Sequence, residues 1–169
     1  GLPVTHFIAA CNANDVVPVF MQTENYTPKK AVATLSNAMD VGNPSNFIRI
    51  LEIFQHKFAD LKNIFSSCSI SDEETKETIK RVLEESDYLL DPHGAVGYLA
   101  LEQYLHKHPE QKGMILETAH PVKFYDVVEP VTGKPVPIPE TVQEQLKLEK
   151  KSTRIAAEGE LLKRFLLGE

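Results

Sequence analysis

Four short apolar runs constrain this chain most: Phe7-Ile8-Ala9-Ala10, Val32-Ala33-Thr34-Leu35, Tyr88-Leu89-Leu90 and Met114-Ile115-Leu116. Each is too short for a helix and lacks polar alternation, the pattern of strands buried on both faces of a parallel sheet. A polar loop follows every run: Asn12-Ala13-Asn14-Asp15, then Ser36-Asn37-Ala38-Met39-Asp40, then Asp91-Pro92-His93-Gly94, then Glu117-Thr118-Ala119-His120-Pro121. Each loop leads into a plausible helix. Strand, polar loop and helix, repeated four times, predict an α/β fold: an open, mostly parallel sheet with flanking helices, binding ligands at the carboxyl ends of its strands. The loops are candidate site walls, and helix amino termini aimed at that crevice suit an anionic ligand. Taken singly, each loop reads as chain turning and helix capping; four on one sheet edge favour a site.

Between these runs the helical signals are strong. Phe47, Leu51, Phe54, Phe58, Leu61 and Phe65 recur at alternating spacings of four and three, which predicts one face of a long helix. Asn43-Pro44 mark its start, an amide that caps well and a proline tolerated in a first turn. Ser71 with Glu74 three residues on has capping-box spacing, and Ile79, Val82 and Leu83 follow on one face. The opposite face of that helix is acidic and reads as a solvated surface. Pro130, Pro135, Pro137 and Pro139 predict an extended connector over 129–139. Two amphipathic stretches follow within 140–169, expected as a helical tail packed on the core; Ile155, Leu161, Leu162, Phe165 and Leu166 are available for docking.

Charge narrows the partners. The 169 residues carry a net charge of −6, which argues against binding a nucleic-acid phosphate backbone or an anionic membrane surface. No apolar stretch approaches the ~20 residues needed to span a bilayer, and no signal peptide is evident, so a cytoplasmic protein is expected. Cys11 and Cys68 are too few for a disulfide framework and lack metal-site spacing, so reduced, packed thiols are expected. Phosphate-cradling glycine loops, the nucleophile elbow, zinc-protease and dithiol motifs are absent. The six histidines do not cluster like metal ligands; only His93 and His120 lie on crevice loops, where each either meets a ligand or anchors its own loop.

The same four loops carry a family resemblance. Cys11-Asn12-Ala13-Asn14-Asp15, the fifteen residues from Ala33 to Phe47, Asp91-Pro92-His93-Gly94-Ala95-Val96-Gly97 and Thr118-Ala119-His120-Pro121-Val122-Lys123-Phe124 closely resemble threonine synthase. The likeness runs from Gly1 to the carboxyl terminus. It implies a pyridoxal 5'-phosphate enzyme of the tryptophan-synthase β-like class (fold type II) that converts O-phospho-L-homoserine and water into L-threonine and phosphate. In that family the Schiff-base lysine lies in a Phe-Lys-Asp stretch, and the cofactor phosphate in a Gly-Asn-Phe-Gly-Asn loop, both upstream of the matching segment. No lysine here follows a phenylalanine, and no such loop occurs.

The resemblance therefore implies a carboxyl-terminal portion, with residues 1–128 belonging to the cofactor domain, no catalytic lysine of its own, and no activity without the amino-terminal half. It also implies that Thr118 is the hydroxyl partner of the cofactor's pyridine nitrogen, with Asp91 and His93 on a loop beside the ring. Asn12, Asn14, Asp15, Ser36, Asn37 and Asp40 are candidates for the substrate region, through donors and acceptors suited to phosphate and carboxylate groups. Two rival expectations stand beside this one: a related phospho-lyase with another substrate, and an interaction module that self-associates through exposed interface residues.

Overall fold

In this computed structural model, strand β1 (Phe7–Cys11) follows the first apolar run and pairs in parallel with β2 (Phe65–Ser69), Phe7 opposite Phe65 and Cys11 opposite Ser69. Parallel pairing needs a long crossover. It is supplied by α1 (Val16–Thr23), a 3-10 turn (Asn37–Met39), α2 (Phe47–Ile53) and α3 (Phe58–Ile64). Val17, Phe20 and Met21 of α1 share one core with Phe47, Leu61 and Phe65. There the Phe20 ring meets Phe47 and Phe58 edge-on at centroid distances of 5.2 and 5.5 Å, the preferred geometry for aromatic pairs.

The predicted long helix is in fact two short helices and a strand. Gln55 and His56 have φ of 51° and 56°, left-handed backbone in which no helix continues, and the His56 N–H turns back to Leu51 O at 2.8 Å. The helical start also falls later than Asn43-Pro44, at Phe47 with Asn46 as cap residue. The apolar stripe nevertheless keeps its purpose, because Leu51, Phe54 and Phe58 all pack on the core that holds Phe47, Leu61 and Phe65.

Of the four predicted strands only the first is one; among the described residues, 2–168, the sheet has two strands. The other three runs are coil for a physical reason: their backbone groups find other partners, or their side chains other cores. Asn14 takes both backbone groups of Val32, accepting from its N–H at 2.8 Å and donating to its C=O at 3.0 Å. Leu90 is buried with Ile79, Val82 and Ala95 between helices, and Met114 and Leu116 lie on the surface at 67% and 80% exposure. The α/β class stands, with more helix and less sheet than expected.

Helix α4 (Asp72–Ser86) opens on the capping box read from the sequence: Ser71 Oγ accepts from the Glu74 N–H at 3.3 Å, and Glu74 Oε2 accepts from the Ser71 N–H at 2.8 Å. Helix α5 (Pro92–Lys107) is capped by Asp91 and is tied to α4 by a two-pronged Arg81–Glu102 ion pair at 2.9 and 2.6 Å. That pair is partly exposed and contributes at most about 1 kcal/mol. Helix α6 (Tyr125–Thr132) includes Pro130, so the extended stretch expected from 129 begins after Gly133. Buried Val128 anchors that helix in a cluster with Phe124 and Val136, and the Gly133 N–H closes it on Glu129 O at 2.8 Å.

The chain divides into two compact units at Val136/Pro137. The second contains α7 (Glu140–Leu146) and α8 (Gly159–Leu167), and Leu162, Phe165 and Leu166 of α8 are exposed. No helix among the described residues is long and apolar enough to cross a membrane, and no group of His, Cys, Asp and Glu among them could hold a metal ion.

Candidate functional site

Two loops meet beyond the end of β1. Asn12 and Asn14, 1% and 5% exposed, lie directly after the strand, where buried polar groups must find partners. They find them in the loop that ends at Asp40. The Asn12 amide donates to Thr34 Oγ1 at 2.8 Å, Ser36 Oγ at 3.1 Å and Asp40 Oδ1 at 2.9 Å. The Asn14 amide donates to Asn12 Oδ1 and to Asp40 Oδ1, both at 3.0 Å. Asp40 Oδ1 also accepts from the Thr34 hydroxyl at 2.7 Å, and its Oδ2 from the Thr34 N–H at 3.0 Å. Four predicted site residues, Asn12, Asn14, Ser36 and Asp40, are thus brought together and saturate one another.

Asp15 and Asn37 stand apart from that network. Asp15 is paired with Lys29, and Asn37 is exposed in the 3-10 turn. Gly42 closes the base of the loop. The Lys29 N–H donates to its carbonyl at 2.9 Å, and a Cβ there would lie 1.8 Å from the Lys29 carbonyl oxygen, so only glycine allows the approach.

The third loop locks onto the second through an imidazole. Asp91 is completely buried; its Oδ1 accepts from the His93 N–H at 2.8 Å and lies 2.8 Å from His93 Nδ1. On the other side of the ring the Ala38 N–H donates to Nε2 at 3.2 Å. Because Nε2 accepts, the proton belongs on Nδ1, where Asp91 receives it. The ring also rests 4.7 Å from that of Phe124, so His93 joins the start of α5, the 3-10 turn and the fourth loop. His120 is a cap instead, its Nδ1 accepting from the Val122 N–H at 3.1 Å.

Thr118 faces an open, largely apolar trough of about 700 Å³. One side is Leu2–Ile8, including the edge of β1 that β2 leaves free, and the other is the 113–118 segment, with His93, Gly94 and Gly97 of α5 also in the lining. The Thr118 hydroxyl makes no hydrogen bond to any described residue, whereas His93 is fully engaged in the same wall. The trough therefore joins an apolar floor to the unbonded Thr118 hydroxyl and a glycine-lined helix start. Sequence reasoning passed over Thr34 and Glu117. Thr34 takes part in four bonds of the loop network, and Glu117 places its carboxyl against Gly94. No short motif marks either residue: Glu117 acts on the start of α5, far back in the chain, and Thr34 joins Asn12 to its own loop through Ser36 and Asp40.

Comparison with known proteins gives consistent results. Residues 94–166 match the family described as "Threonine synthase, C-terminal". A threonine synthase from Serratia marcescens is 42% identical over 168 residues, covering 99% of this chain and 38% of that protein. The crystal structure of threonine synthase from Escherichia coli superposes with a TM-score of 0.85 at 39% identity, again over 99% of this chain and 38% of the other. A pyridoxal-phosphate-bound threonine synthase from Brucella melitensis has a TM-score of 0.81 at 25% identity, with 98% and 40% covered. The chain thus spans a little over one third of the length of these relatives.

Proposed function

We propose, from the premise that this chain belongs to the threonine synthase family and corresponds to its carboxyl-terminal portion, that it forms one wall of a pyridoxal-phosphate site. The complete protein would convert O-phospho-L-homoserine and water into L-threonine and phosphate in the cytoplasm. The observation that carries this reading is the free Thr118 hydroxyl on the trough wall, in a chain that matches threonine synthases along its whole length. The residues present fit such a group: an apolar trough for a flat ring, Gly97 on the helix face that lines it, and a neutral hydroxyl beside it.

When bound, pyridoxal phosphate supplies an electron sink for charge developing at the substrate α-carbon. Thr118 is suited to meet the ring nitrogen, and its neutrality sets how far that sink is polarised. A carboxylate in its place would hold a proton on the ring nitrogen; a hydroxyl can donate to it unprotonated. His93 and Asp91 keep the wall in place, because every polar atom of the imidazole is committed to protein partners. Asn12, Asn14, Ser36 and Asp40 then serve the substrate region by holding its loops in register, with Asn37 and Asp15 at its exposed edge. Residues 1–128 form the cofactor-domain part in this reading, 129–139 a connector and 140–169 a helical tail. The amino-terminal portion, with the Schiff-base lysine, closes on the trough, and this chain by itself is inactive.

The test is an assay of the complete protein for phosphate release and threonine formation from O-phospho-L-homoserine. Equal amounts of both are expected, with neither product from this chain alone. Phosphate without threonine would make it a phospho-lyase with a different outcome. Neither product from cofactor-supplied complete protein, with concentration-dependent self-association of this chain, would make it an interaction module.

A further inference from the structure

We propose that Asp91 and Glu117 share a single proton across the first turn of α5, and that this acid pair is the latch that sets Thr118 on the trough wall. Asp91 is fully buried, its Oδ1 is used twice by His93, and its Oδ2 has no conventional hydrogen-bond partner among the described residues. An orphaned carboxylate oxygen in the interior is costly, and its carboxyl neighbour is Glu117. Gly94 puts that neighbour there. A Cβ on Gly94 would lie 2.2 Å from Glu117 Oε2 and 2.6 Å from Oε1, so the space a side chain would occupy at the helix start is taken by the Glu117 carboxyl.

Two ionised carboxylates in contact repel, and neither can donate. One proton changes both facts. It gives Glu117 a hydroxyl that donates to Asp91 Oδ2, satisfying the orphan atom with a strong charge-assisted bond. The proton resides on Glu117 because Asp91 already accepts from the His93 amide and ring, which stabilise its ionised form. In keeping with this arrangement, burial first and then the bond to Asp91 and its charge push the Glu117 carboxyl up to about 8. For Asp91, burial works upward but is outweighed by bonds from Glu117 and from the His93 backbone and ring, which hold it below the usual range. Glu117 is exposed as a whole residue; its carboxyl end is the part pressed against α5. His93, at the start of α5, is the titratable group that faces the pair, and its own ring meets the Ala38 amide and the Phe124 ring.

Glu117 directly precedes Thr118, so it is a positioning residue for that hydroxyl. Below its titration the latch is closed; above it, two negative charges push the 113–118 segment from α5. This inference stands or falls independently of the cofactor reading, because its test uses the 169-residue chain without any added ligand. Carboxyl-carbon NMR of glutamate-labelled chain, with E117Q identifying the Glu117 resonance, should give a midpoint near 8. A midpoint near the ordinary 4.5 would overturn the proposal. In G94A the new methyl displaces only the flexible end of Glu117, so a folded variant is expected whose Glu117 titrates near the ordinary value; an unchanged Glu117 titration would contradict the assigned place of the carboxyl. The third readout is amide exchange at Thr118. It should accelerate with pH beyond its intrinsic trend in the wild-type chain and follow that trend in E117Q, whose neutral amide can still donate to Asp91. Identical behaviour of the two chains would rule the latch out.

Discussion

Asn12 Nδ2 and Asp40 Oδ1 lie 2.9 Å apart, and that contact joins the loop after β1 to the loop that carries the 3-10 turn. The same oxygen accepts from Asn14 at 3.0 Å and from the Thr34 hydroxyl at 2.7 Å. Removing it strands several buried donors at once. Asp40→Ala should therefore lower stability by about 2–4 kcal/mol, read as a lower urea midpoint with an unchanged denaturant slope. A loss below about 0.5 kcal/mol would show that water satisfies these groups as well as Asp40 does.

His93 holds the Ala38 amide at 3.2 Å. In His93→Ala that amide loses its acceptor and Asp91 loses the ring that is packed against Phe124. Hydrogen exchange at Ala38 is expected to rise to the level of exposed neighbours, with a stability cost of about 1–3 kcal/mol. Retained protection at Ala38 would mean that the turn is held without the imidazole.

Gln55 and His56 occupy left-handed backbone without being glycine, a conformation that costs an ordinary residue about 1 kcal/mol or more. Gln55→Gly should therefore be stabilising by about 0.5–1 kcal/mol even though glycine is flexible when unfolded, and Gln55→Ala should not. Thermal unfolding of the two variants compares them directly; equal midpoints would show that the break is unstrained.

Burial pushes the Cys11 thiol up to about 11, the Ser67 hydrogen bond opposing it and Cys68 and Asp15 adding to it. The thiolate is the reactive form, so at pH 8 Cys11 should alkylate about a hundredfold more slowly than a free cysteine. Mass-resolved labelling with iodoacetamide measures this. Its rate should climb with pH until well above 10, and a plateau near pH 9 would contradict the burial.

The Glu117 carboxyl carries a pH signature of its own. Its folded value lies above its unfolded value near 4.5, so its stabilising contribution is complete below about 4.5 and disappears as pH rises towards about 8. Across that window the wild-type melting temperature should fall relative to Glu117→Gln. A pH-independent difference would leave Glu117 an ordinary surface acid.

What was legible in the sequence was local. The Ser71–Glu74 box and the first strand each depend on residues within a few positions of one another, and each folds as read. β2 was hidden because Phe65 completes a helical stripe while Ser66, Ser67 and Ser69 lack the bulk that marks a strand. The break at Gln55 and His56 had no glycine to announce it. Short apolar runs such as 32–35 and 114–116 fit a buried strand and a coil equally well, since the deciding partners, Asn14 for Val32 among them, lie elsewhere in the chain. The candidate site shows the same division. Its four loops were visible as polar segments, but the mutual saturation of Asn12, Asn14 and Asp40, and the fit of Glu117 against Gly94, exist only once distant segments meet.

The central claim is that Thr118 presents its hydroxyl to a bound pyridoxal ring. The most direct measurement is the absorption spectrum and turnover of the complete protein with Thr118→Ala and Thr118→Ser beside the wild type. The account predicts a displaced cofactor band and at least a tenfold loss of turnover, equivalent to about 1.4 kcal/mol, in the alanine variant, with both restored by serine. An alanine variant with wild-type spectrum and turnover would contradict it.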